Sequence, residues 1–332
     1  MTSPPIVDLH EDIAFYYTSM GAGQPLGGYG EDLEGRQADI PKYSRANVRI
    51  VFAAVFPEAN VYQGGEGYPT PSSSRLLMLD QVKTYYSIAR IHSVEIVEGW
   101  SQARKILEAP QWRLGLLLHL EGADPLVDAL DLEVLYRLGF RSLGLTWNHD
   151  NRWAASCKTR RDYGLTVEGE ELVKKAGELG VIVDLAHASD KTVADAASAS
   201  PKPVIVSHAN FRWKVDSPRN VGEEAVESVV SKDGVIGYSL ISTLITRDRH
   251  PTLHDVARQI VEFVEVYGHR HLAIGTDYHG LLDIKPPAGL ESIDKLPLLL
   301  KALGEAGLSD RQVEAVAYGN IARVLMEVLP EA

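Results

Sequence analysis

His10 and Asp12, in VDLHED near the start of the chain, are one residue apart. On an extended strand that spacing turns both side chains to one face. Imidazole nitrogen and carboxylate oxygen on one face suit zinc or a similar divalent ion, and such an ion can activate water for hydrolysis. Strand ends are also where chains ordinarily surface, so the pair gains meaning only if further ligands converge on it. They are available. Glu121 in LHLEG, Asn148 to Asp150 in WNHD, His187 in VDLAH, His208 in VIVSH and Asp277 in AIGTD each follow a short apolar run. Even with the 148–150 group set aside, three histidines and three carboxylates stand at five of eight strand ends, too many for independent bland explanations. A carboxylate can bridge two ions, and Glu121 is the best candidate, with His10 and Asp12 on one ion and His187 and His208 clasping a second.

Those ends belong to apolar runs at 5–10, 48–56, 114–122, 141–147, 181–187, 203–208, 234–240 and 271–277, which predict eight strands. Helical apolar spacing lies between many of them, at 74–91, 125–138, 166–179, 189–199, 221–232 and 252–267, with two more stretches at 292–306 and 309–328. Alternating strand and helix implies a parallel sheet, and eight strands imply a closed (β/α)8 TIM-type barrel with its site at the carboxyl ends of the strands. The segments 17–44 and 57–74 exceed a minimal barrel and are expected as inserted loops over the barrel mouth. No repeat, low-complexity tract or composition change divides the chain, so one hydrolase domain over 1–332 is expected. A dinucleotide-binding fold ranks lower, because no GxGxxG follows the first strand.

Composition narrows the chemistry. With 332 residues and 45% hydrophobic content the chain can bury a large core, while a net charge of −12 and no basic run exclude a general nucleic-acid partner. Cys157 is the sole cysteine, so there is no internal disulfide, and any metal must be held by histidine and carboxylate. No apolar run reaches about 18 residues and no basic leader precedes one, so a soluble cytoplasmic protein without a membrane partner is expected.

Taken together, VDLHED (7–12), LHLEGADPL (118–126), LGLTWNHDNRW (143–153), GVIVDLAHAS (180–189), PVIVSHANFRWKVDSPRNV (203–221), AIGTDYHG (273–280) and YGNIARVL (318–325) resemble the membrane dipeptidase family, also called renal dipeptidases. These are zinc-dependent peptidases on an amidohydrolase-like barrel. The resemblance implies two zinc ions, one on His10 and Asp12, the other on His187 and His208, with Glu121 bridging. It further implies Asp277 as catalytic carboxylate, a dipeptide-like substrate whose terminal carboxylate is gripped by Arg219, and a homodimer by default. A planar guanidinium suits that grip because it can bind a carboxylate through two hydrogen bonds.

The departures from the pattern bear on substrate range. Trp147 stands where the family carries a substrate-contacting histidine, with His149 two residues later, and both are candidate substrate contacts. The usual GDxDG reads GTDYHG, placing His279 at the second Asp, and the usual HxDLP reads HEDIAF. An enzyme of this barrel type acting on N-acyl amino acids or lactones, and a catalytically silent metal- or ligand-binding barrel, are the competing readings. His119 is expected in the core or behind the ligands, and Glu11 is expected to point away from His10 and Asp12 and to be dispensable.

Overall fold

The computed structural model describes residues 3–20, 25–57 and 71–331. The eight expected strands all form: β1 (Ile6–Glu11), β2 (Val48–Val55), β4 (Gly115–Leu120), β5 (Phe140–Gly144), β6 (Ile182–Asp184), β7 (Ile205–Ala209), β8 (Val235–Tyr238) and β9 (Leu272–Ile274), with a short β3 (Glu95–Ile96) added. They run in the order β2-β1-β9-β8-β7-β6-β5-β4, all pairs parallel, and β4 returns to β2 from Ile50 opposite Gly115 to Val55 opposite Leu120. That last pairing closes the (β/α)8 barrel. β3 lies against the first residues of β4, before β5 begins to pair at Leu118.

The strands of the ring are buried on both faces, which is why they read as continuous apolar runs. Leu117 packs with Ile50, Phe52, Ile205, Val235 and Ala273, and with Ile321 and Val324 of the helix Asn320–Val328. By strand alternation His119 and Glu121 continue the face of Leu117, so an apolar plug gives way to polar residues toward the carboxyl ends.

Helix starts follow their caps. The Thr166 and Ser189 side chains accept from Gly169 N and Thr192 N at the heads of Val167–Leu179 and Asp190–Ala199. Leu253–Tyr267 opens with a capping box in which Thr252 N and Oγ1 donate to Asp255 Oδ2 at 2.9 and 2.8 Å. The Arg249 guanidinium bonds both Asp255 oxygens, and with burial opposing it still holds that carboxyl well below the usual range. A depressed folded-state pKa stabilises fully above the ordinary carboxylate value and is lost as pH falls through the lower folded value. Asp255→Asn should therefore cost about 1–2 kcal/mol near neutrality, the arginines being exposed and screened, and the difference from wild type should shrink below about pH 4. Thermal unfolding at several pH values checks this.

The structure also departs from expectation. Helices Ile40–Ala46 and Trp100–Glu108 were not expected, since seven and nine residues give too few turns for a clear period. The first begins inside 17–44, which is therefore partly helical rather than all loop. The stretch 309–328 is interrupted by a π turn at Ala315–Gly319. Of 57–74, residues 58–70 lie outside the described residues, and 71–74 begin the helix Pro71–His92.

Candidate metal centre

His10, Asp12, Glu121, His187, His208 and Asp277 meet at the carboxyl ends of β1, β4, β6, β7 and β9, none more than 7% exposed. Two aspartates lock the strands that deliver them. Asp8 accepts from Thr276 N and Oγ1 at 2.8 and 2.5 Å, tying β1 to the end of β9. Asp184 does the same for β6 and β7, accepting from Ser207 N and Oγ at 2.7 and 2.5 Å. The VDL of VDLHED and the VDL of VDLAH thus carry equivalent anchors. Beyond them His187 and Asp277 adopt φ of 62° and 64°, a left-handed conformation rare outside glycine and favoured at functional turns.

The six side chains form two groups joined by Glu121. Its Oε1 lies 3.1 Å from His187 Nε2 and 3.6 Å from His208 Nε2, and those nitrogens are 3.1 Å apart. Its Oε2 lies 3.6 Å from His10 Nε2, which is 3.3 Å from Asp12 Oδ2 and 3.9 Å from Asp277 Oδ1. His10, Glu121 and His208, and likewise His10, Asp12 and Asp277, each offer ligand atoms close enough to share an ion.

The donor set fits a cation. His187 Nδ1–H donates to Asn148 Oδ1 at 2.9 Å, which leaves Nε2 as a lone pair. Ser207 Oγ gives its hydrogen to Asp184, so it accepts from His208 Nδ1–H at 2.8 Å and leaves that Nε2 bare as well. Two lone pairs and a carboxylate oxygen then face one another with no donor among them, an arrangement that repels unless a positive charge sits between. His10 Nδ1, His10 Nε2 and Asp12 Oδ1 are buried without hydrogen-bond partners. Gly280 closes the cradle: an added Cβ would run into Asp12 Oδ2 and would lie 2.6 Å from Asp277 Oδ1.

Electrostatics agree. Burial pushes His187 down to about 3, reinforced by the Arg219 charge, and burial with the neighbouring His10 charge holds His208 well below the imidazole range. Both imidazoles are therefore neutral near pH 7, the form that can bind a cation. Burial would also lower His10, but the Glu121 and Asp12 charges outweigh it and hold it well above the ordinary value. Asp12 is raised by burial and Glu121, and Asp277 by burial against the pull of His10, with Asp12 and Glu121 adding repulsion. Three carboxyl groups crowd a site where the His10 imidazole and, from the cavity wall, the Arg219 charge offset them, and a divalent ion would relieve the remaining repulsion.

A cavity of about 470 Å³ opens over this centre, lined by Asp12, Glu121, His187, His208, Asp277, Arg219 and Trp147 among others. Trp147 packs against Phe56 and His187 with ring centroids 4.9 and 5.8 Å away. Arg219 Nη2 donates to the His208 carbonyl at 2.9 Å, holding the guanidinium at the cavity wall. His149 instead lines an adjoining basin, its ring 5.5 Å from Trp147. His119 lies behind the ligands, between Ser142 Oγ at 3.0 Å and Asp184 Oδ2 at 3.3 Å, edge-on to His10.

Glu11 points away from the centre, as alternation required, yet it is fully buried and accepts from Tyr43 Oη at 2.7 Å, which is bonded in turn to Tyr29. Burial pushes its carboxyl up to about 8. Its direction is as expected, while burial this deep in the wall gives it a packing role that the expectation of a dispensable side chain did not include. His279 lies beside it, its Nδ1 3.7 Å from Glu11 Oε2, on the side of the wall away from the ligands. Asn148 is the residue whose part went unread: it stood among the strand-end polar groups, but nothing in its spacing tied it to His187.

Comparison with known proteins accords with this geometry. The profile of the family described as membrane dipeptidase, peptidase family M19, matches residues 1–330. Dipeptidase tcpJ of Claviceps purpurea is 31% identical over 90% of this chain and 70% of its own length. An uncharacterized dipeptidase of Schizosaccharomyces pombe is 26% identical over 98% of this chain and 81% of its own. Among solved structures, dipeptidase AC, an M19 metallopeptidase, shares the fold at a TM-score of 0.86 and 20% identity, with both chains fully covered. A Rhodobacter sphaeroides metallopeptidase liganded with a phosphinate mimic of L-Ala-D-Ala does so at 0.85 and 19%, covering 98% of this chain and 100% of its own. With the profile matched along nearly its whole length, the chain belongs to the membrane dipeptidase family, peptidase family M19.

Proposed function

We propose that the metal-dependent hydrolysis of dipeptides by this chain uses two divalent cations, zinc by preference, with His10 and Asp12 holding one, His187 and His208 the other, and Glu121 serving both. The observation that carries this reading is the division of Glu121, whose Oε1 faces His187 and His208 while Oε2 faces His10. Cations held there would supply Lewis acidity toward the scissile carbonyl and lower the pKa of a water toward neutrality.

The side chains do the remaining work. Asp277, beside His10 and Asp12, takes the proton of the attacking water and returns it to the leaving amine. Burial raises its basicity above that of an exposed aspartate, which suits a proton acceptor. Arg219 binds the terminal carboxylate of the substrate and so limits the enzyme to short substrates. Trp147, Phe15 and Phe56 give the cavity an apolar wall that excludes water around the reacting amide. His149, at the edge of the adjoining basin, is a further substrate contact. Residues 1–332 act as one catalytic unit, with a homodimer as the default assembly. A chain with one cysteine suits the cytoplasm, and no helix among the described residues is long and apolar enough to cross a membrane.

Metal-reconstituted protein should cleave dipeptides, including some with a D-residue at the C-terminal position, with kcat/KM of at least about 10⁴ M⁻¹s⁻¹. A chelator should abolish this turnover and zinc restore it. Turnover confined to N-acyl amino acids or lactones would replace the dipeptide reading, for which Trp147 and His279 give the motive. A metal-replete protein inactive on every panel would make the barrel a silent one.

A further inference from the structure

Beside the metal cavity, and sharing Asn148 and Lys158 with it, lies a second hollow of about 630 Å³. Lys158, Arg160 and Arg161 line it, and all three are exposed. Elsewhere on the described surface lysine and arginine heads pair with carboxylates, as in Arg45 with Asp32, Arg75 with Asp131, Lys175 with Glu133 and Arg212 with Asp190. These three have no carboxylate within ion-pair distance. Asp150, the carboxylate lining the same hollow, already accepts from Ser156 N and Thr159 Oγ1, both at 2.8 Å. In a chain of net charge −12, a concave basin with surplus positive charge adjoining the metal cavity is an unbalanced feature.

Its position relative to Arg219 gives it an occupant. Cys157, next to Lys158, is bonded through its N–H to the His187 carbonyl at 2.7 Å, and the Arg219 carbonyl partner belongs to His208, the neighbouring ligand. Lys158 and Arg219 therefore stand on the same side of the cavity, the side of β6 and β7. Arg219 and Lys158 line the same cavity, and Lys158 also lines the second hollow, so a substrate residue whose terminal carboxylate lay on Arg219 would be within the reach of that hollow. We propose that this basin is a subsite for an acidic side chain on the C-terminal residue of the dipeptide, whose carboxylate is drawn by Lys158 and received by Arg160 and Arg161. The proposal rests on the dipeptidase reading and names the substrate class within it. Guanidinium and ammonium heads that are unpaired in the free protein lose no ion pair on binding the carboxylate, so the attraction is not offset by breaking an existing contact.

The test compares Ala-Glu with its neutral isostere Ala-Gln, and with Ala-Ala, on the metal-reconstituted enzyme, using both D and L forms of the C-terminal residue. The kcat/KM ratio of Ala-Glu to Ala-Gln should be about tenfold at low salt and should decline as ionic strength rises. In the double variant Arg160→Gln/Arg161→Gln the ratio should fall toward one, and in Arg160→Glu/Arg161→Glu the preference should turn toward Ala-Lys. A wild-type ratio near one, or a ratio unchanged in both double variants, would overturn the subsite while Ala-Ala turnover leaves the dipeptidase reading standing. Failure to cleave any of the three would remove the dipeptidase reading itself.

Discussion

Asp277→Asn should retain its metal and lose about 10²–10⁴-fold in kcat, the range expected when a positioned acid–base group is removed. The substitution is close to isosteric, and asparagine tolerates the left-handed φ of 64° better than most residues, so the turn after β9 is kept. The backbone bond from the residue 277 N–H to the His10 carbonyl, 3.0 Å long, does not involve the side chain and persists. What disappears is a carboxylate able to accept a proton near His10 and Asp12. Steady-state kinetics with parallel metal analysis checks both halves. Full activity in the variant would defeat the role assigned to Asp277. Loss of metal together with activity would make Asp277 a ligand instead, a role its grouping with His10 and Asp12 also permits chemically.

Glu121→Gln carries the second large effect. The amide preserves length and shape, yet one of its two ends becomes an N–H donor. That donor would satisfy either the His187 and His208 lone pairs or His10 without any ion, and it removes the charge that serves both groups. Metal affinity should weaken by more than about 100-fold, beyond the loss usual for residues that only orient ligands, and turnover should fall with it. Circular dichroism should be unchanged, since the apolar packing below Glu121 is untouched. A variant that binds metal and turns over like wild type would show that Glu121 is not shared between two ions.

Much of this was legible in the sequence, for physical reasons. Parallel strands covered on both faces must be apolar along their length, so VRIVFAAV and LGLLLHL stand out, and their polar ends mark the carboxyl rim. The two-residue β3 and the helices Ile40–Ala46 and Trp100–Glu108 were hidden because so few residues establish no period. The six converging side chains could be read because their types and strand-end positions coincide. The part of Asn148 could not, because it reaches His187 across 39 residues, and that of Ser207, though next to His208, is set by Asp184 taking its hydrogen from 23 residues away. For Glu11, alternation gave the direction correctly. Its burial depends on Tyr43, brought over from a segment that read as loop.

The most direct measurement is the metal content of the wild-type chain after reconstitution with zinc and removal of free ion, determined by elemental analysis against protein concentration. Two ions per chain is the expected result, dropping in Glu121→Gln. One ion per chain or fewer, at saturation, would contradict the shared-carboxylate centre on which the proposed mechanism stands.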